Sequence, residues 1–175
     1  MLFSTQQKAI IELMRKMKYL RQDQLYALLE RLHPDMGWTQ NRFDSMMNQL
    51  VRIHSSIRRK DDLVLIGRSL PQKIYLEAVD VMLAISQDAK LSLLPKKNED
   101  VILYFTITNE DKIRFFSIVR YSVEIAHAQY PSATERVVFL ANADVIPGNS
   151  TLPYRHFFAV KHEDGSHRFY AGHDE

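Results

Sequence analysis

The amino-acid sequence predicts an α+β protein in two domains, residues 1–69 and 70–175, the second a mixed β-sheet flanked by helices. Three observations carry the prediction. Apolar residues recur at helical spacing in three successive segments before His54. A basic hairpin, Ser56 to Ile66, follows them directly. Beyond Lys90 the apolar period changes from helical to alternating.

The 175 residues, 46% of them apolar, suffice for two small cores. No segment approaches the ~18 consecutive apolar residues of a membrane span, and Glu12 and Arg15 interrupt the apolar candidate near the N-terminus. A cytoplasmic protein with no membrane partner is expected. Cysteine is absent, which excludes disulfides, cysteine-ligated zinc and a thiol nucleophile. The net charge of +2 is unevenly spread: residues 1–70 carry 12 basic and 7 acidic side chains, a net +5, and residues 71–175 carry 11 and 14, a net −3. A basic head beside a mildly acidic body fits a polyanion-binding module joined to an effector or dimerisation module.

The first helix starts at Ser4, whose hydroxyl can cap the backbone while Gln7 reaches back to complete a capping box. Ile10, Leu13, Met14 and Met17 form its apolar face, and it ends near Tyr19-Leu20. A second helix begins around Arg21 to Asp23, presents Leu25, Leu28, Leu29 and Leu32, and is broken by His33-Pro34-Asp35-Met36-Gly37. Thr39 caps the third, Gln40 to about Ile53, which buries Phe43, Met46, Met47 and Leu50. It leaves Gln40, Asn41, Asp44, Ser45, Asn48, Gln49 and Arg52 to solvent. Amides and hydroxyls suit a recognition helix, because Asn and Gln pair with adenine edges and Arg with guanine. Asp44 dissents, and an ordinary solvated helix face has the same composition.

Helix, helix, helix, hairpin resembles the winged helix-turn-helix. The resemblance implies that the third helix enters the major groove of duplex DNA and that the wing touches phosphate or minor groove. On that basis Gln40, Asn41, Ser45, Asn48 and Arg52 are the base-reading candidates. Thr39, Arg42, Arg58, Arg59 and Lys60 are the phosphate-contacting ones, the last three a cluster of cations on a loop before the Asp61-Asp62 turn. Winged helices also serve as protein-interaction modules, so docking of a partner protein is a second reading.

Arg68-Ser69-Leu70-Pro71 marks the junction to a fourth helix that runs to about Ser86 with Ile74, Ala78, Val81, Met82 and Ile85 in one stripe. Strands are expected at Lys90 to Leu94, Val101 to Ile107 and Ile113 to Val119, the last two joined by a hairpin turn at Thr108-Asn109-Glu110-Asp111. A helix from Tyr121 to Gln129, a strand from Arg136 to Leu140 and a loop holding Pro147-Gly148-Asn149 follow. The last hairpin pairs Phe157 to Lys161 with His167 to Tyr170 around Glu163-Asp164-Gly165.

Helix, three strands, helix, strand resembles the core of restriction-endonuclease-like folds. A winged helix joined to such a core is similar to the replication-relaxation proteins of bacterial mobile elements. The nuclease chemistry of that fold needs an Asp on the second strand and an acid-x-Lys pair on the third, which hold Mg²⁺ and poise a water. Asp100 stands at the entrance to the second strand. The third reads Arg114-Phe115-Phe116-Ser117-Ile118-Val119, with neither acid nor lysine. A substitute site would have to gather Glu99, Asp100, Glu110, Asp111 and Glu124, with Lys112 or Arg120 nearby, whereas charged residues at turns and helix surfaces are normally solvated.

Four of the seven histidines fall at 156, 162, 167 and 173, where His162 and His167 could face each other across the last hairpin. No HExxH, no cysteine partner and no phosphate-cradling glycine loop accompanies them, so neither metal nor cofactor is expected. The paired aromatics Phe115-Phe116 and Phe157-Phe158 sit in predicted strands, so neighbours point to opposite faces: one ring enters the core, the other meets a covering helix or a partner subunit. The expectation is a duplex-DNA-binding regulator of transcription, or of mobile-element or plasmid replication. Its C-terminal domain would be non-catalytic and would dimerise or regulate. The adaptor is the alternative and a divergent metal-dependent nuclease the third reading.

Overall fold

The computed structural model describes residues 2–87, 89–145 and 152–172, so the loop at Pro147, Gly148 and Asn149, and His173, lie outside the described residues. The chain divides into two units, Met1–Leu76 and Glu77–Glu175.

In the first unit, helix α1 (Thr5–Met17) begins with the expected capping box: the Ser4 hydroxyl accepts from the Gln7 amide at 3.1 Å and Gln7 Oε1 accepts from the Ser4 amide at 3.0 Å. Ile10, Leu13, Met14 and Met17 are buried. The helix stops at Lys18, which adopts φ 70. There the structure departs from the expected helix-to-helix junction, because Tyr19–Arg21 is a short strand, β1. Three residues are too few to show a period of two, and it is pairing with a distant strand that makes them a strand. Helix α2 (Gln22–Leu32), a 3₁₀ turn at Pro34–Met36 and helix α3 (Gln40–Ile53) follow, then strands β2 (Ile57–Lys60) and β3 (Leu63–Ile66). The sheet order is β1-β3-β2, antiparallel throughout, with Tyr19 opposite Leu65 and Arg59 opposite Val64. Asp61 turns the hairpin at φ 55, a left-handed conformation that Asp tolerates better than most residues.

The division between the units falls within helix α4 (Lys73–Ile85), after Leu76. Its first turn belongs to the first unit for a visible reason. The Tyr75 ring lies 5.0 Å from that of Tyr19, its hydroxyl reaches Met17 Sδ at 3.4 Å, and the Leu76 carbonyl accepts from Gln24 Nε2 at 2.7 Å.

The second unit is α+β, with a six-stranded mixed sheet in the order β4-β5-β6-β7-β8-β9. Its strands are Lys90–Leu94, Val101–Asn109, Lys112–Arg120, Glu135–Ala141, His156–Lys161 and His167–Ala171. β4, β5 and β6 form an antiparallel meander; helix α5 (Val123–Ala128) carries the chain over so that β7 runs parallel to β6; β8 is parallel to β7, and β9 folds back on β8. The core beside α5 joins Val101, Val119, Val137, Phe139 and Phe158 to Ala126 and Leu152. The Tyr154 hydroxyl donates to the Ala126 carbonyl, and desolvation of its ring pushes its pKa up to about 12. Phe116 and Phe158 are buried while Phe115 and Phe157 are half-buried, as alternation across a sheet requires.

His156 is 3% exposed and packs its ring against Phe139 and Phe158. Gly172 lies so close that an added Cβ would stand 1.7 Å from His156 Nε2. Gly172→Ala must therefore displace a buried ring, and a loss of about 1–3 kcal/mol is expected in urea unfolding. A variant as stable as the parent would show that the ring has room to move.

Candidate nucleic-acid interface

Burial of Phe43, Met46, Met47 and Leu50 orients α3. Asn41, Ser45, Asn48 and Arg52 then recur at intervals of four, three and four residues, which places them in one straight row opposite the buried face. All four are exposed, as are Thr39, Gln40 and Arg42. Thr39 caps the helix, its hydroxyl accepting from the Arg42 amide at 3.4 Å.

Gln40 stands at the edge of that row and is tied to Asp44, whose Oδ1 accepts from Gln40 Nε2 at 3.1 Å and from Gln22 Nε2 at 3.0 Å. The Gln22 backbone amide in turn donates to the Asp62 carbonyl at 2.8 Å. Asp44, the one acid on this side of α3, is thus a bracket between α3, the start of α2 and the hairpin turn. Gln49, on the other edge, accepts from Gln7 Nε2 at 3.1 Å.

The three hairpin cations do not cluster on a loop, as the sequence led us to expect. They lie on β2, and the alternation of a strand sends Arg59 to the same face as Ile57 while Arg58 and Lys60 take the other. Arg59 Nη1 reaches Asn48 Oδ1 at 3.3 Å, which joins the strand to the polar row of α3. Arg58 Nη2 instead donates to the Gly67 carbonyl at 2.5 Å. The candidates therefore separate into one continuous surface, Asn41, Ser45, Asn48, Arg52 and Arg59, and a flank of Arg58 and Lys60.

Two groups of residues escaped the sequence reading. A cationic cleft of about 390 Å³ is lined by Arg15, Lys18, His54, Ser56 and Arg68, beside the C-terminal end of α3. Its only sequence signal is the basic excess of residues 1–70. In the second unit Glu135, 3% exposed, accepts from the Ser117 hydroxyl and pairs with Lys97, whose ammonium also lies 4.5 Å from the centre of the Tyr104 ring. Ser117, within the Phe-Phe-Ser-Ile-Val run, was the available hint: a hydroxyl at an inward strand position needs a partner.

The acids considered for a metal site do not converge. Asp100 precedes β5 and Glu110-Asp111 follow it, so a nine-residue strand, about 27 Å long, separates them. Among the described residues no group of three His, Asp or Glu is placed to hold a metal ion. His162 and His167 do not face each other, because Lys161 is the register partner of His167 and His162 therefore points to the opposite side of the sheet. His167 Nε2 lies 3.3 Å from Glu77 Oε1 of α4. No helix among the described residues is long and apolar enough to cross a membrane. Comparison with protein-family models, with curated proteins and with solved structures finds no match to this chain.

Burial works to lower the pKa of Lys97, but the hydrogen bond and charge of Glu135 outweigh it and hold the ammonium above its ordinary value. A raised pKa stabilises the fold fully below the unfolded value near 10.5, and that contribution disappears as pH rises through the folded value. Lys97→Met should cost about 1–2 kcal/mol near neutral pH, less than a fully enclosed pair because the Lys97 side chain is 36% exposed. Urea titrations of both proteins from pH 7 to strongly alkaline solution check this, and a gap that fails to narrow as pH rises counts against the pair. Thr39→Ala, which removes the cap of α3, should cost about 1 kcal/mol in the same assay.

Proposed function

We propose that the first unit is a winged-helix module that binds duplex DNA, and that the protein is a cytoplasmic regulator of transcription or of mobile-element or plasmid replication. The β2–β3 hairpin is its wing. The observation that carries the reading is the unbroken polar surface of Asn41, Ser45, Asn48, Arg52 and Arg59, which contains amides, a hydroxyl and two guanidinium groups and no carboxylate. Such groups pair with base edges and are cheaper to dehydrate than carboxylates. Gln40 and Asp44 support it from the side, since the acid is occupied by two amide donors. Arg58, Lys60, Thr39 and Arg42 flank the surface and would meet phosphate oxygens. The order α1-β1-α2-α3-β2-β3 with β3 central also favours a winged helix.

In this reading the second unit is a non-catalytic body that dimerises or regulates. The separation of Asp100 from Glu110 and Asp111 by the length of β5 supports that part, and supercoiled plasmid incubated with the protein and Mg²⁺ or Mn²⁺ should remain intact.

The decisive test is a salt-titrated gel shift on mixed genomic fragments. The parent chain should retard duplex DNA at low salt. Replacing Arg58, Arg59 and Lys60 together with alanine should weaken binding to all fragments and reduce the slope of log K against log salt by about 2–3. An unchanged slope refutes the wing assignment. No retarded band at any salt concentration refutes DNA binding and favours docking of a partner protein.

A further inference from the structure

The starts of three neighbouring strands in the second unit bring together three arginines that the proposed function does not use. Arg136 near the start of β7 is the register partner of Phe116 on β6, and its guanidinium lies 5.9 Å from the centre of the Phe116 ring. Arg114 stands two residues before Phe116 on the same face of β6, diagonally across from Arg136 in the parallel β6–β7 pair. Arg155 immediately precedes β8, and its carbonyl accepts from the Val137 amide at 3.1 Å, which sets it beside Arg136 from the other flank. β6, β7 and β8 run parallel, so all three arginines gather at one end of the sheet.

Among the described residues no ion pair joins Arg114, Arg136 or Arg155 to a carboxylate. Glu135 is adjacent in sequence to Arg136, but it points to the opposite face and is already held by Lys97 and Ser117. Glu110 and Asp111 on the β5–β6 turn are exposed and solvated. Arg136 is half-buried, and partial burial together with the charges of Arg114 and Arg155 lowers its pKa. A domain of net negative charge thus concentrates, at one end of its sheet, cations that are unpaired among the described residues and repel one another, an arrangement that a bound anion relieves.

We propose that Arg114, Arg136 and Arg155 form a phosphate-binding site on the C-terminal sheet, selective for a phosphate-bearing ligand with two or more negative charges. The ligand is either a free phosphorylated small molecule or the phosphate of a nucleic-acid backbone. Planar guanidinium groups from three strands would bind the oxygens of one phosphate from different sides, and Arg136, stacked on Phe116, would supply the most rigid of them. The site rests on the second unit alone and is independent of the reading of α3.

Inorganic pyrophosphate titrated into the full ¹⁵N-labelled chain tests it. Saturable shifts are expected at the amides of Arg114, Arg136 and Arg155, and they should persist when Arg58, Arg59 and Lys60 are replaced with alanine. Calorimetry should show about a tenfold loss of affinity for Arg136→Gln. The exposed pair Arg114→Gln with Arg155→Gln should show at least as large a loss while keeping the thermal midpoint of the parent, which covers the case in which Arg136→Gln fails to fold. A short duplex that moves the same three amides identifies backbone phosphate as the source, and one that leaves them still identifies a free phosphorylated molecule; either supports the site. Shifts absent, or confined to residues before Leu76, overturn it, as does unchanged affinity in the double variant.

Discussion

Strand β3 holds the first unit together because it is hydrogen-bonded along both edges. On one side it pairs with β1, the three residues between α1 and α2; on the other it pairs with β2, which leaves the C-terminal end of α3. Four residues therefore tie the α1–α2 joint to the hairpin. Without that double pairing Tyr19–Arg21 would have no partner, and β2 would be one arm of an isolated two-stranded ribbon, which is marginal in water. The Ile66 amide adds a bond to the Lys18 carbonyl at 2.9 Å, so the strained residue that ends α1 is held at the same place.

From that constraint the polar surface follows. β2 is held beside α3, and the period of two leaves Arg59, two residues from the buried Ile57, facing Asn48. The Asp44–Gln22–Asp62 chain of hydrogen bonds then closes the other end of the hairpin onto α2 and α3. Individually these exposed contacts are weak. Their effect is positional: they keep side chains from a helix and a strand in one surface, which a flexible hairpin would not do.

The same period of two governs charge in the second unit. Glu135 and Arg136 are consecutive, yet the sheet separates them completely. The carboxylate enters a buried pocket with Ser117 and Lys97, while the guanidinium lies over Phe116 and joins two other arginines. On a strand each must find a partner on its own face, and among the described residues only the acid of the two stands in an ion pair.

Much of this architecture was legible from local signals. The capping box at Ser4 and Gln7, the Thr39 cap, the apolar spacing of Phe43, Met46, Met47 and Leu50, and the alternation beyond Lys90 each depend on residues a few positions apart, and the elements they mark stand where expected. What depends on distant residues was not legible. β1 exists because Leu63–Leu65 lies beside it, and the hairpin cations split because Leu63–Ile66 pulled Arg58–Lys60 into a strand. The amino-acid order by itself determined the helices and the longer strands and which face of each is apolar, since periodicity and capping are short-range. Only the tertiary structure decided strand register, and with it whether neighbouring charges meet or part, because a single residue of register exchanges the two faces of a sheet.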